Sequence, residues 1–231
     1  MNAIKHIACV MDGNRRWAKE NGMDSLLGHE HGLGAMKRTL QFCIKNGIKY
    51  ASFYAFSTEN FRRTDKEKNF LFGHVARLAS KEFNKLIKEN IRIRFFGLKE
   101  KFPKSLQKMI KEVEENSVSC TGLTVNFLLG YGSRLEIVRA AKKVAQDIAD
   151  NKVDPDNISE ESFKKYLWTN GTPDPEIIVR PGRHARLSNF LLYQGAYSEL
   201  YFPNCLWPEV DEDLLQGILD DYNQCQLNFG K

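Results

Sequence analysis

What most limits the fold of this chain is the alternation of short apolar runs with amphipathic stretches. "IKHIACVM" (4–11), "IKYASFYAFS" (48–57), "IRIRFFG" (91–97), "LTVNFLLG" (123–130) and "PEIIVRPG" (175–182) read as strands with little polar alternation. Between them "GLGAMKRTLQFCIKNG" (32–47), residues 64–90, residues 103–116, "SRLEIVRAAKKVAQDIADNK" (133–152) and "EESFKKYLW" (160–168) repeat with helical spacing, and Gly47 is a stop signal. "SNFLLYQGAYSELYF" (188–202) reads as a helix running into a last strand. Apolar strands separated by helices predict an α/β domain whose central, mostly parallel sheet is surrounded by helices. The 231 residues suit a single domain over 1–231, with irregular connections at 150–160 and 169–176 and no internal repeat.

Composition excludes more than it selects. Lys and Arg number 34 against 29 Asp and Glu, and the resulting +5 suits anionic small molecules or a membrane surface but no nucleic-acid partner. Cys9, Cys43, Cys120, Cys205 and Cys225 form no C-x-x-C pair and are odd in number, so they read as reduced thiols. Without a leader-like apolar run or a stretch of about 20 apolar residues, the expected location is cytoplasmic. There is no G-x-x-x-x-G-K-[ST] and no G-x-G-x-x-G after a strand, and His29-Glu30-His31 lacks metalloprotease spacing.

In open α/β sheets ligands gather beyond the carboxyl ends of the strands, so the residues delivered there carry the functional signal. Four ends carry arginine: Asp12-Gly13-Asn14-Arg15-Arg16, Ser57-Thr58-Glu59-Asn60-Phe61-Arg62-Arg63, Gly130-Tyr131-Gly132-Ser133-Arg134, and the run from Arg180 through Arg186 to Ser188. Arginine forks match phosphate oxygens, and glycine before a helix lets backbone N–H groups face an anion. Any one such loop is more often a solvated face; four together describe a site for more than one phosphate. Asp12 beside them is either a counter-ion or a Mg²⁺ ligand, and spacing alone leaves both open.

The motifs "HIACVMDGNRRWA", "GHEHG", "FYAFSTENFRR", "GYGSRLEI" and "RLSNFLLYQGAYSELYFPNCLWPEV" resemble, in this order and over nearly the whole chain, the cis-prenyltransferases of the bacterial undecaprenyl diphosphate synthase type. The resemblance implies a hydrophobic tunnel, a homodimer and Mg²⁺. It also implies elongation of an allylic diphosphate, farnesyl diphosphate in the family, by isopentenyl diphosphate with Z geometry, and delivery of the product at the inner membrane surface. On these residues Asp12 would be catalytic through Mg²⁺, with Glu199 helping to hold the metal, in part across the dimer. Gly13, Asn14, Arg15, Arg16 and His29 would hold the allylic diphosphate, with Trp17 closer to packing than to chemistry. Arg180, Arg186 and Ser188 would hold isopentenyl diphosphate. Ser57 and Asn60 would serve proton removal after condensation, in a loop ordered by Glu59 and Arg63. Ala55 would line the tunnel and Leu123 its far end, with Phe70, Leu71, Val75 and Leu78 along one wall.

The chain also departs from the family pattern. His184 stands where Glu is usual, giving an Arg-Pro-Gly-x-His run similar to irregular, lavandulyl-type relatives; Ser25 replaces a frequent Arg, Arg15 a usual Gly, and Asn228-Phe229-Gly230 lacks the common Arg. Two alternatives to long-chain synthesis stand beside it: a short-chain or irregular synthase, and a non-catalytic scaffold subunit, against which the retained Asp12 and Arg16 argue.

Overall fold

The computed structural model describes residues 4–62, 68, 72–73 and 82–224. Six strands, β1 (His6–Val10), β2 (Tyr50–Ser57), β3 (Arg92–Phe96), β4 (Thr124–Tyr131), β5 (Ile177–Val179) and β6 (Glu199–Tyr201), form one sheet in the order β3-β4-β2-β1-β5-β6. Every neighbouring pair is parallel. The helices are α1 (Asn14–Glu20), α2 (Ser25–Lys45), α3 (Lys104–Ser117), α4 (Ser133–Ala149), the single turn α5 (Glu160–Phe163) and α6 (Glu212–Gln224); residues 82–88 are also helical.

The strands are apolar on both faces because both are covered. Ile7 and Cys9 of β1, with Phe53, Phe95, Phe127 and Val179, point into the larger core. Met36, Leu40 and Cys43 of α2, Leu106, Ile110 and Val113 of α3, and Leu215, Ile218 and Tyr222 of α6 face them, each set at the three-to-four spacing of a helix stripe. The alternate positions Ala8, Val10, Tyr54, Phe96, Leu128 and Ile178 form a smaller core closed by Phe190 and Leu191. Buried polar groups cross this second face: His6 Nδ1 donates to Pro173 O at 2.7 Å, Ser52 Oγ donates to His6 Nε2 at 2.7 Å, and Asn126 Nδ2 donates to Ser52 Oγ at 3.0 Å. A carbonyl only accepts, which puts a proton on Nδ1, and in the neutral ring Nε2 is then the acceptor of the Ser52 hydroxyl. Burial pulls the His6 pKa down to about 4, the bond to Pro173 only partly opposing it.

Two expectations are corrected. Helix α2 begins at Ser25, so the glycines of "GHEHG" lie inside it. They sit where α1 presses on α2: a Cβ at Gly28 would lie 2.1 Å from Asn14 O, and one at Gly32 2.3 Å from Asn14 Oδ1. The stretch 188–198 is a series of turns and no helix. Ser188, Asn189 and Leu191 have φ of 50°, 68° and 43°, left-handed values that a right-handed helix does not contain. Phe70, Leu71, Val75, Leu78 and Arg63, and the segment Asn228-Phe229-Gly230, lie outside the described residues. No helix among the described residues is long and apolar enough to cross a membrane.

Candidate active site

From β1 the chain adds β2 beside it, then the edge strand β3 and, between the two, β4, before it crosses to the other side of β1 for β5 and β6. The order therefore reverses between β1 and β5, and a crevice opens at their carboxyl ends. Asp12 follows β1 and Arg180 follows β5, and there Arg180 Nη2 meets Asp12 Oδ2 at 2.9 Å. The other carboxylate oxygen takes Arg16 Nη2 of α1 at 2.9 Å, while Arg16 Nη1 donates to Gly182 O at 2.7 Å. Gly182, at φ 110°, leaves the space: a Cβ there would stand 2.9 Å from Asp12 Cγ and 3.0 Å from Arg16 Nη2.

Arg180 is 4% exposed, and its Nη1 donates to Arg186 O at 2.5 Å and Ser188 Oγ at 2.6 Å. Its Nε is buried with no partner among the described residues. A buried guanidinium lacking one hydrogen bond favours an incoming acceptor, because an unsatisfied buried N–H is costly.

A cavity of about 970 Å³ opens at this crevice. Its polar mouth carries Asp12, Asn14 and His29 on one side, Ser57, Glu59 and Asn60 on another, and Arg134, Arg180, Arg186, Ser188 and Asn189 on the third. Ser57 N–H donates to Asn60 Oδ1 at 3.0 Å, which folds the loop after β2 back on itself. Ala55 is on the wall because β2 slips out of register with β4 between Tyr54 and Phe56. Inward, the lining becomes apolar with Met36, Phe56, Leu129, Phe95 and Phe127. Phe127 precedes the end of β4 by four residues, roughly 13 Å of strand. There Phe83 stands edge-on to Phe95 and Phe127, with ring centres 5.6 and 5.4 Å apart.

Other expected residues are not on that wall. Leu123 is buried in the core just before β4, at the end of the strand away from the mouth. Trp17 packs its ring 4.4 Å from His31, Gly13 is the residue before α1, and Arg15 is exposed on α1. Arg16 reaches the site through Asp12. His184 is exposed on the loop after β5 and is not among the residues that line the cavity. Glu199 opens β6 opposite Ile177, so one chain does not bring it to Asp12. Among the described residues no group of three or more His, Cys, Asp and Glu is placed to hold a metal.

Sequence reasoning missed several residues of the site. Glu82 lies on the cavity wall, paired with Lys37 of α2 at 2.6 Å and Lys85 at 3.2 Å. Behind the mouth, Tyr131 OH donates to Glu136 Oε2 at 2.5 Å and Gln194 Nε2 donates to the same oxygen at 3.0 Å. Glu136 is 1% exposed, and burial pushes its pKa up against these hydrogen bonds. Neither role can be read locally, since each also depends on a partner from a distant segment, Lys37 for Glu82 and Gln194 for Glu136.

With this geometry in view, comparison with known proteins is specific. Residues 10–230 match the family model described as putative undecaprenyl diphosphate synthase. An isoprenyl transferase of Clostridium perfringens is 40% identical over 226 residues, covering 98% of this chain and 89% of the relative. One from Fusobacterium nucleatum is 41% identical over 229 residues, covering 99% and 96%. Among solved structures, lavandulyl diphosphate synthase from Lavandula x intermedia, in complex with dimethylallyl diphosphate, superposes with a TM-score of 0.94 at 31% identity over 99% of both chains. A probable undecaprenyl diphosphate synthase from Campylobacter jejuni gives 0.83 at 33% identity over 100% of both. The family match over almost the whole length, the curated relatives and the shared sheet together establish that the chain belongs to the undecaprenyl diphosphate synthase family of cis-prenyltransferases, enzymes that transfer isoprenyl groups.

Proposed function

We propose that the protein condenses isopentenyl diphosphate onto an allylic diphosphate, farnesyl diphosphate being the expected primer, to make a Z-polyprenyl diphosphate of the undecaprenyl type. The observation that carries this reading is the continuity of an arginine-rich mouth with an apolar cavity of about 970 Å³. The mouth suits diphosphates and the interior suits a hydrocarbon chain, each buried CH₂ contributing about 0.8 kcal/mol. A homodimer in the cytoplasm, handing its product to the membrane as a precursor of a cell-wall lipid carrier, completes the proposal.

In this reading Arg180, Arg186 and Ser188 hold isopentenyl diphosphate, and the unpartnered Arg180 Nε gains an acceptor from it. Asn14, Arg16 and His29, with Gly13 and Arg15 beside them, hold the allylic diphosphate. Ser57 and Asn60 are placed across the mouth to orient the carbon that loses a proton, and neither is itself a strong base. Mg²⁺ suits the donor set, since it is commonly bound by one or two carboxylates plus substrate phosphates and water. Asp12 supplies one hard oxygen, and Glu199 of a second copy is the candidate for another. When bound, the metal neutralises charge building on the leaving diphosphate. Asp12 meanwhile holds Arg16 and Arg180 at the mouth.

The fold similarity to lavandulyl diphosphate synthase and the Arg-Pro-Gly-x-His run favour a second reading, an irregular synthase that joins two five-carbon units. His184 is exposed and does not line the cavity, which weighs against giving that residue the deciding role. Incubation with Mg²⁺, labelled isopentenyl diphosphate and each allylic primer in turn, followed by product sizing, is expected to give a ladder ending in a long product. Dimethylallyl diphosphate supplied alone is expected to give nothing. A branched ten-carbon product from that arm overturns the elongation reading in favour of the irregular one.

A further inference from the structure

We infer that Asn189 is a positioning residue that locks three strand-end loops of the site together, an inference that rests on the transferase reading above. Asn189 is on the cavity wall and adopts φ 68°, a left-handed conformation that asparagine tolerates better than most residues. Three of its polar groups are committed to three different partners. Its carbonyl oxygen accepts from Ser133 N–H at 2.8 Å, and its Oδ1 accepts from Arg134 N–H at 2.8 Å. Both donors are orphan N–H groups in the first turn of α4. Its Nδ2 donates to Glu59 Oε1 at 3.1 Å, in the loop after β2.

The neighbours of Asn189 extend the clamp. Ser188 Oγ takes Arg180 Nη1 at 2.6 Å, and Leu192 N–H donates to Ser133 Oγ at 2.9 Å. The packing is close: a Cβ at Gly132 would fall 2.6 Å from Thr58 Oγ1 and 2.7 Å from Asn189 Nδ2. One amide therefore sets the distance between the loop holding Ser57 and Asn60, which faces the reacting carbons, and the segment holding Arg180 and Ser188, which faces the diphosphate. The left-handed turn that ruled out a helix over 188–198 aims this amide. Burial raises the pKa of Glu59, but hydrogen bonds from its own backbone, Asn189, Ser57 and Thr58 together outweigh it and hold the carboxyl below the usual range. Glu59 thus faces Asn189 as an ionised acceptor.

Asn189→Asp separates the two roles of the amide. Aspartate still accepts from Arg134 N–H, and its charge is favoured at the start of a helix, so α4 keeps its cap. It has no donor for Glu59 and repels it. With the purified full chain, Mg²⁺, farnesyl diphosphate and isopentenyl diphosphate, the variant is expected to melt within a few degrees of wild type while kcat falls tenfold or more. Adding Glu59→Gln restores a bond with reversed polarity, the introduced amide donating to the introduced carboxylate, and is expected to recover most of that loss. Glu59→Gln alone still accepts from Asn189 through its carbonyl oxygen and is expected to lose clearly less kcat than Asn189→Asp. Wild-type kcat in Asn189→Asp, or no recovery in the double variant, overturns the inference and leaves Asn189 as a helix cap. A wild type inert with every primer overturns the transferase reading, and this inference with it.

Discussion

At the scale of single residues the site is organised around one shared acid. Asp12 neutralises Arg16 from α1 and Arg180 from the far side of the strand reversal, each at 2.9 Å. Asp12→Asn keeps the size of the side chain and removes the charge, which separates its part in turnover from its part in restraining the arginines. Turnover at saturating Mg²⁺ is expected to fall on the order of a thousandfold, about 4 kcal/mol of transition-state stabilisation. Affinity for inorganic diphosphate without Mg²⁺, measured by calorimetry, is expected to hold or rise, because the guanidiniums lose a competing anion. Near wild-type turnover would contradict the catalytic role given to Asp12. Asp12 and Arg180 were legible in the sequence because four arginine-bearing strand ends recur together, amid motifs that resemble the family in order. Asn189, Glu82 and Glu136 were not, because their partners lie 130, 45 and 58 positions away, respectively Glu59, Lys37 and Gln194.

At the scale of elements, the contact between α1 and α2 shows why local propensity misleads. Glycine costs roughly 1 kcal/mol in a helix interior relative to alanine, and the helix expected from spacing opens only at Gly32. The close approach of α1 accounts for Gly28 and Gly32, two of the three glycines inside α2. Gly28→Ala, despite the gain in propensity, is expected to destabilise by about 2 kcal/mol, since its methyl would meet Asn14 O at 2.1 Å and Ala18 Cβ at 3.0 Å. Gly34→Ala on the same helix meets nothing nearer than Arg38 Nη1 at 3.5 Å and is expected to be neutral or to stabilise by up to about 1 kcal/mol. Urea midpoints of the two variants check the pair, and equal shifts would remove the steric account. The six strands were readable because their apolar runs are short and bounded by turn residues. The stretch 188–198 was not, because its apolar residues mimic helical spacing while its backbone follows hydrogen bonds to α4 and Arg180.

Over the whole molecule, the buried chain from Asn126 through Ser52 to His6 ties stability to pH. The His6 pKa is about 4 in the folded protein and about 6.5 unfolded, so between these values the unfolded chain binds more protons. The contribution of neutral His6 is complete above pH 6.5 and is lost as pH falls towards 4, about 3 kcal/mol in all. Urea midpoints between pH 7.5 and 4.5 are expected to show this fall, and His6→Gln, less stable at pH 7.5, is expected to flatten it. A wild-type midpoint independent of pH over that range would contradict the assignment. The same central strand also sets an order of events in time. The arginine that meets Asp12 is made 168 positions after it, and the second neighbour of β1 pairs with residues 170 positions on, roughly 10 to 30 s later at ordinary synthesis rates. Until then β1 has one unpaired apolar edge, and no earlier stage of synthesis holds the pair of charges at the centre of the site. The second edge of β1 and the ion pair at the centre of the site therefore form together, and a nascent chain released before residue 180 has neither.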